Sequence, residues 1–346
     1  MTLNLLPYRG TAPRLAGSPR HAAAGHALIG RIVLGRDAWL AAGALIRADG
    51  HDVRAGDDLA MGRGASVHIA HEVYPTLIGD RVSVGVNAVV HACTVGDDNV
   101  IEDDAVILDG SVLEPGSVLD AGAVVFPRSR LAGGWLYAGK PAKPLRELAP
   151  GELAARRAQL RARIETAAAD WPASDGRASI DAGAFVGNTA SLRGPIRAAA
   201  KSSIWYGCRL DAGGGEIAIG ERSNVQDNSQ LHCRPGGRIE IGRDTTIGHN
   251  VRMADCTIGD RCLIGIGSVI AAGTRVESDV FVAAGATTLP GQVLTSGKLW
   301  GGQPARALGP LDDRKRAMIA DTIGTYCDYA AALARVQASA AREDHR

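Results

Sequence analysis

Residues 241–282 read IGRDTTIGHNVRMADCTIGDRCLIGIGSVIAAGTRVESDVFV. An aliphatic residue returns about every six positions, often followed by glycine: Ile241-Gly, Ile247-Gly, Met253, Ile258-Gly, Ile264-Gly, Ile270, Val276 and Val282. Upstream the series begins at Ile219-Gly, Val225 and Leu231. The period is that of neither an amphipathic helix nor an alternating strand. It marks a parallel β-helix, in which each hexapeptide is a short strand and a turn and three hexapeptides make one coil. The first half repeats the series at Met61, Val67, Ile78, Val84, Val90, Val95, Ile101, Ile107, Leu113, Leu119 and Val125. With only 5 Trp, 6 Tyr and 3 Phe against 44 Gly, stacked aliphatics rather than rings are expected to fill the core.

The two series run in register, with an offset of 164 between His68 and His232 and of 163 between Val86 and His249. We read this as a tandem duplication with a one-residue length change. Each copy closes on a related phrase, Ala138-Gly-Lys-Pro-Ala-Lys-Pro-Leu-Arg146 and Gly301-Gly-Gln-Pro-Ala-Arg-Ala-Leu308, and then turns rich in Ala, Leu, Arg and Glu, which suits helices. The expected fold is mainly β: a first β-helix domain over 1–146, a helical linker over 147–176, a second β-helix domain over 177–309 and a C-terminal helix over 310–346.

Lys and Arg number 38 and Asp and Glu 37, so no bulk field favours nucleic acid or an anionic membrane. No apolar run is long enough to span a bilayer, and no secretory pattern opens the chain. Six cysteines (Cys93, Cys208, Cys233, Cys256, Cys262, Cys327) lie singly, without a CxxC pair. Buried thiols in a soluble, cytoplasmic protein are expected.

The copies differ in their polar motifs. The second reads Asn224-Val-Gln226-Asp227 through His232, then Ile247-Gly-His249-Asn250 and Ala254; the first reads Ala60-Met-Gly62-Arg63 through His68, then Val84-Gly-Val86-Asn87 and His91. Counting hexapeptides as faces A, B and C of a three-sided coil puts Gln226 and His249 on face B and His68 and His91 on face C. Side chains on one face of successive coils are roughly 5 Å apart, so His68 and His91 can share one ion. The first copy lacks the face B pair, and the second lacks one member of face C. Face C of the first copy against face B of the second collects His68, His91 and His249, with Gln226 beside them. Three imidazoles and an open fourth position make a catalytic type of metal site. His21, His26, His51, His71 and His345 match nothing in the repeat and are expected at the surface.

At these residues the chain resembles the gamma-class carbonic anhydrases and related left-handed β-helix proteins: Trp205-Tyr-Gly-Cys-Arg209-Leu-Asp211, Asn224-Val-Gln226-Asp227 with His232, and Ile247-Gly-His249-Asn250, echoed by Trp39, Arg47-Ala-Asp49, His68 and His91-Ala-Cys-Thr. The resemblance implies left-handed coils, a metal held between neighbouring subunits of a trimer, and reversible hydration of CO2 by metal-bound hydroxide. It also implies that Arg47 and Asp49, or Arg209 and Asp211, form an ion pair beside the site and order the water. The chain departs from the family where Arg63 replaces Asp and where each copy lacks one metal histidine. Two alternating domain types do not close a three-membered ring, so either rings mix the types or the chain pairs its own domains differently.

The expectation is therefore a homo-oligomer joined through β-helix faces, with one site at each contact between unlike domains. His68, His91 and His249 would hold Zn2+, with Fe2+ or Co2+ also suited to three imidazoles. Gln226, Arg47, Asp49, Arg209 and Asp211 would serve catalysis, with CO2 or bicarbonate as the small-molecule substrate. The rival readings are an acyl-CoA-dependent acyltransferase or thioesterase on the same fold, and a non-catalytic assembly subunit.

Overall fold

Every aliphatic residue of both six-residue series is buried, from Met61 to Val125 and from Ile219 to Val282. The reason is the strand pairing. Most strands are only two or three residues long, and each hydrogen-bonds to its counterparts one coil before and one coil after. Val84 pairs with Met61 and Ile101, and Ile247 with Val225 and Ile264, all in parallel. The inward side chain of each strand thereby stacks on an identical position of its neighbours. The computed structural model describes residues 3 to 343 and divides the chain into two units, Met1–Trp171 and Pro172–Arg346. Both units are parallel β-helices.

In the first unit a 12-stranded and an 8-stranded sheet form the walls. The strand Leu45–Ala55 pairs at its start with Ser66–His68 and at its end with Thr76–Ile78. Two faces of the coil thus merge into one sheet at this strand. The second unit keeps its faces separate, as 7-, 8- and 5-stranded sheets. At the corners the backbone turns left-handed, as at Asn87 (φ 57°) and Asn250 (φ 54°), a conformation asparagine tolerates better than most residues. Corner amides of the first unit are satisfied by aspartates of the next coil: the N–H groups of Arg36, Asp57 and Asp80 donate to Oδ1 of Asp57, Asp80 and Asp97 at 2.7, 2.8 and 2.9 Å.

Each stack ends in an antiparallel hairpin that stops the parallel ladder, Trp135–Ala138 with Lys143–Glu147 and Lys298–Gly301 with Arg306–Pro310. A helix then returns over the coils. Helix α1 (Glu152–Thr166) belongs to the first unit, as do residues 147–171 around it. Its Leu160 and Ile164, one turn apart, are buried against Ala41, Ala60, Val100, Val118 and Leu136. Burial of two such side chains stabilises the docked helix by roughly 1.5–3 kcal/mol each. Its arginines finish the attachment: Arg161 meets Asp58 and Arg163 meets Glu102, both at 2.7 Å, and Arg157 pairs with Asp98. Helix α2 (Asp313–Glu343) lays Ile319 and Ile323 on Leu263 and Leu311 of the second unit. Among the described residues no helix is long and apolar enough to cross a membrane.

Candidate metal centre

In the first unit the strand pairing sets His91 directly beside His68. Both rings are buried, with centroids 5.3 Å apart. Nδ1 of His68 faces Nε2 of His91 at 3.3 Å. Behind each ring stands a carboxylate: Nε2 of His68 lies 3.2 Å from Oδ1 of Asp49, and Nδ1 of His91 lies 2.6 Å from Oδ1 of Asp109. An ionised carboxylate only accepts hydrogen bonds, so each outer nitrogen carries the proton and each inner nitrogen presents a lone pair. Two lone pairs facing each other at this distance require an extra proton or a cation between them. Two nitrogens bound tetrahedrally to one ion at 2.0–2.1 Å would lie about 3.3 Å apart, which the pair matches. The donor set therefore fits a metal, with the carboxylate–histidine pairing that orients metal ligands.

Asp49 is itself held by Arg47, and both side chains are fully buried. The pairing of Ile46 with Val67 brings Arg47 to the level of His68, so Asp49, two residues on, reaches the outer nitrogen of that ring. The second unit has another register: Asp211 itself stands level with His232. There Asp211 Oδ1 accepts the Gly213 N–H at 2.9 Å, and His232 is exposed beside Ala254. The two Arg-x-Asp motifs thus sit two residues apart relative to their histidines.

Face B of the second unit carries the other group. His249 is buried, with Nδ1 3.1 Å from Oδ2 of Asp227, a carboxylate that is also buried and takes the Tyr206 N–H on its other oxygen at 3.2 Å. The Nε2 of His249 lies 3.1 Å from the hydroxyl of Tyr326 on α2. Gln226 is buried, and its Nε2 donates to Asn224 Oδ1 at 3.1 Å. Trp205 stands edge-on to Tyr326, with centroids 5.0 Å apart, in a cluster with Phe185, Tyr206 and Tyr329.

The structure thus joins His68, His91, Arg47 and Asp49 in one unit and Gln226 with His249 on one face of the other. The sequence reading missed Asp109, Tyr326 and the role of Asp227. Asp109 lies 18 residues beyond His91, one past the 17-residue offset that pairs Val90 with Ile107, so the repeat brings it near that ring without marking it as the partner. Tyr326 lies outside the repeat and left no such signal. His26, expected at the surface, is buried instead: its Nδ1 lies 2.6 Å from Ala23 O, its Nε2 accepts the Asn4 N–H at 3.2 Å, and burial lowers its pKa. His71 is exposed, His21 and His51 are half-buried, and His345 lies outside the described residues.

Residues 255–289 match a family model described as bacterial transferase hexapeptide (six repeats). The chain is similar to gamma carbonic anhydrase 1, mitochondrial, of Arabidopsis thaliana, at 37% identity over 161 residues, 45% of this chain and 58% of that protein. Gamma carbonic anhydrase 2, mitochondrial, of the same plant is 32% identical over 166 residues, 46% of this chain and 58% of that protein. The chain thus spans less than two thirds of the length of these relatives. Protein YrdA of Escherichia coli (strain K12) is 32% identical over 149 residues, 41% of this chain and 81% of that protein. A solved structure from Desulfovibrio desulfuricans G20, provisionally named an acetyltransferase, shares the fold at 15% identity, with a TM-score of 0.52 over 82% of this chain and 66% of that one. Six-residue repeats in both units, the hexapeptide match and these relatives together mean that the chain belongs to the gamma-class carbonic anhydrase and left-handed β-helix hexapeptide-repeat family.

Proposed function

We propose that the protein catalyses the reversible hydration of CO2, with His68 and His91 of the first unit and His249 of the second as the ligands of one Zn2+. The observation that carries this reading is the 3.3 Å approach of two inward lone pairs, each backed by a carboxylate. Its support in the second unit is His249, whose Nδ1 lies 3.1 Å from the buried Asp227 carboxylate. A third line of support is the complementarity of the copies: Val86 stands where the second has His249, and Ala254 where the first has His91. When bound, the ion would supply Lewis acidity that brings the pKa of a water toward neutrality.

The chain's own residues do the rest. Asp49 and Asp109 keep the outer ring protons of His68 and His91 in place, and the charge of Asp227 beside Nδ1 of His249 favours the same tautomer there, so the three remaining nitrogens stay lone-pair donors. Arg47 holds Asp49 against His68. The Gln226 amide, anchored through its NH2 to Asn224, offers its carbonyl oxygen to orient a water or bicarbonate hydroxyl. Arg209 and Asp211 stand on the outer side of face C in the second unit, where we assign them to contact with a neighbouring copy in a homo-oligomer. All six cysteines are free thiols, which supports a cytoplasmic setting.

The test is metal content per chain on protein purified without added metal or chelator, repeated on His91→Ala and His232→Ala. Near-stoichiometric metal that disappears with His91 and survives loss of His232 is expected, followed by chelator-sensitive CO2 hydration. Full metal content in His91→Ala would sink the assignment. The hexapeptide match at residues 255–289 motivates a second reading, acyl transfer from acyl-CoA by a histidine base without metal. Acyl-CoA turnover that survives a chelator would establish it. Metal-free protein with neither activity leaves an assembly subunit.

A further inference from the structure

We infer that Tyr326 is a positioning residue that competes with the cation for His249. This inference rests on the metal-site reading above and deepens it. Oδ2 of the buried Asp227 lies 3.1 Å from Nδ1 of His249, and its negative charge favours the proton on that nitrogen, which leaves the Nε2 lone pair toward Tyr326. The Tyr326 hydroxyl, 3.1 Å away, is the donor placed at that lone pair. This is the lone pair that a metal takes.

The helix is built to hold the hydroxyl there. Tyr326 is nearly buried, and its ring is caged by Trp205 at 5.0 Å and Tyr329 at 5.7 Å. One turn away Ile323 is buried on the same helix, and Ile319 is buried a turn further on. The phenol is thus delivered by a docked element of defined position. Without a cation the phenol hydroxyl occupies that side of the buried imidazole. A cation would take the lone pair and the Tyr326 O–H would turn from Nε2, while the proton stays on Nδ1, facing the Asp227 carboxylate. No proton leaves the protein at this step.

The consequence is a ligand whose apparent affinity is lowered by the strength of one hydrogen bond. A net bond of about 1 kcal/mol corresponds to roughly fivefold in affinity. Removing the hydroxyl alone should therefore tighten metal binding, the opposite of what loss of a merely structural tyrosine would do. Displacement of the phenol should also be visible at Trp205, whose indole packs edge-on against it.

The experiment uses full-length protein stripped of metal and titrated with Zn2+ against a chromophoric chelator. Wild type, Tyr326→Phe and His249→Ala are compared, and tryptophan emission is followed in parallel in wild type and Trp205→Phe. Phe keeps the ring in its cage, and thermal melting confirms folding. The expected result is roughly three- to tenfold tighter Zn2+ binding by Tyr326→Phe, with a Zn2+-dependent emission change that is lost in Trp205→Phe. Equal or weaker binding by Tyr326→Phe, in a wild type that loads normally, overturns the competition and leaves the metal site standing. Wild type without Zn2+ binding, or His249→Ala binding as well as wild type, overturns the site reading and this inference with it.

Discussion

The Nε2 of His68 lies 3.2 Å from Oδ1 of Asp49, and the same carboxylate carries the fully buried Arg47 on its other oxygen. One acidic group therefore orients a ring and neutralises a guanidinium. The two roles separate in mutants. Asp109 has only the ring role and is partly exposed, so Asp109→Asn should fold normally and weaken metal binding about 10- to 100-fold. Asp49→Asn should show the same loss together with reduced stability, because breaking a buried pair leaves an uncompensated charge, at about 3–5 kcal/mol. Chelator competition and urea unfolding on both variants check the split.

Gly43 and Gly122 share a left-handed backbone, with φ of 70° and 66°, but differ in what a side chain would meet. At Gly122 nothing lies within reach, whereas at Gly43 a Cβ would fall 2.2 Å from the Trp171 ring, and at Gly25 one would fall 2.4 Å from it. Arg63 holds this segment, donating from Nη1 to the carbonyls of Ala168 and Asp170 at 2.9 and 2.8 Å. Gly122→Ala should cost only the backbone strain, roughly 1–2 kcal/mol. Gly43→Ala should cost more and shift Trp171 emission. Equal costs in denaturant unfolding would show that Trp171 does not pack there.

The docking of α1 should be acid-sensitive. Hydrogen bonds first from Arg81 and then from Arg157 hold the Asp98 carboxyl at about 2, below its ordinary 3.8. A depressed acid contributes stability above its unfolded pKa and loses it as pH falls through the folded value. Thermal stability should therefore fall between about pH 4 and pH 2, and Asp98→Asn should remove part of that slope. A slope unchanged in the variant would contradict the ladder's role.

Native thiols should be inert. Burial pushes Cys262 up to about 12 and Cys93 and Cys256 further still. Cys327 is half-buried and is the exception in access. Thiol titration at neutral pH should label at most this one cysteine until the protein is unfolded. Rapid reaction of several would mean that the coils open readily.

The coils, their inward residues, the phrases that end each stack and the adjacency of His68 to His91 were legible in the chain itself; that those phrases fold as antiparallel hairpins was not. The physical reason is that a repeat with period six has one way to stack, so position in the hexapeptide decides face and depth. Asp109 falls one residue past the position one coil beyond His91, so the repeat alone placed it nearby but did not name it. Other features were decided only by tertiary structure. Arg47 precedes His68 by 21 residues and Arg209 precedes His232 by 23, a countable difference, but that it lets Asp49 reach Nε2 of His68 is visible only in the fold. His26 is buried because the segment at Asn4 crosses over it. Tyr326 reaches His249 through helix docking, 77 residues away in the chain. The repeat determines what neighbours within a coil and between coils; what is laid across the coils depends on packing of nonrepeating segments, whose spacing encodes no register.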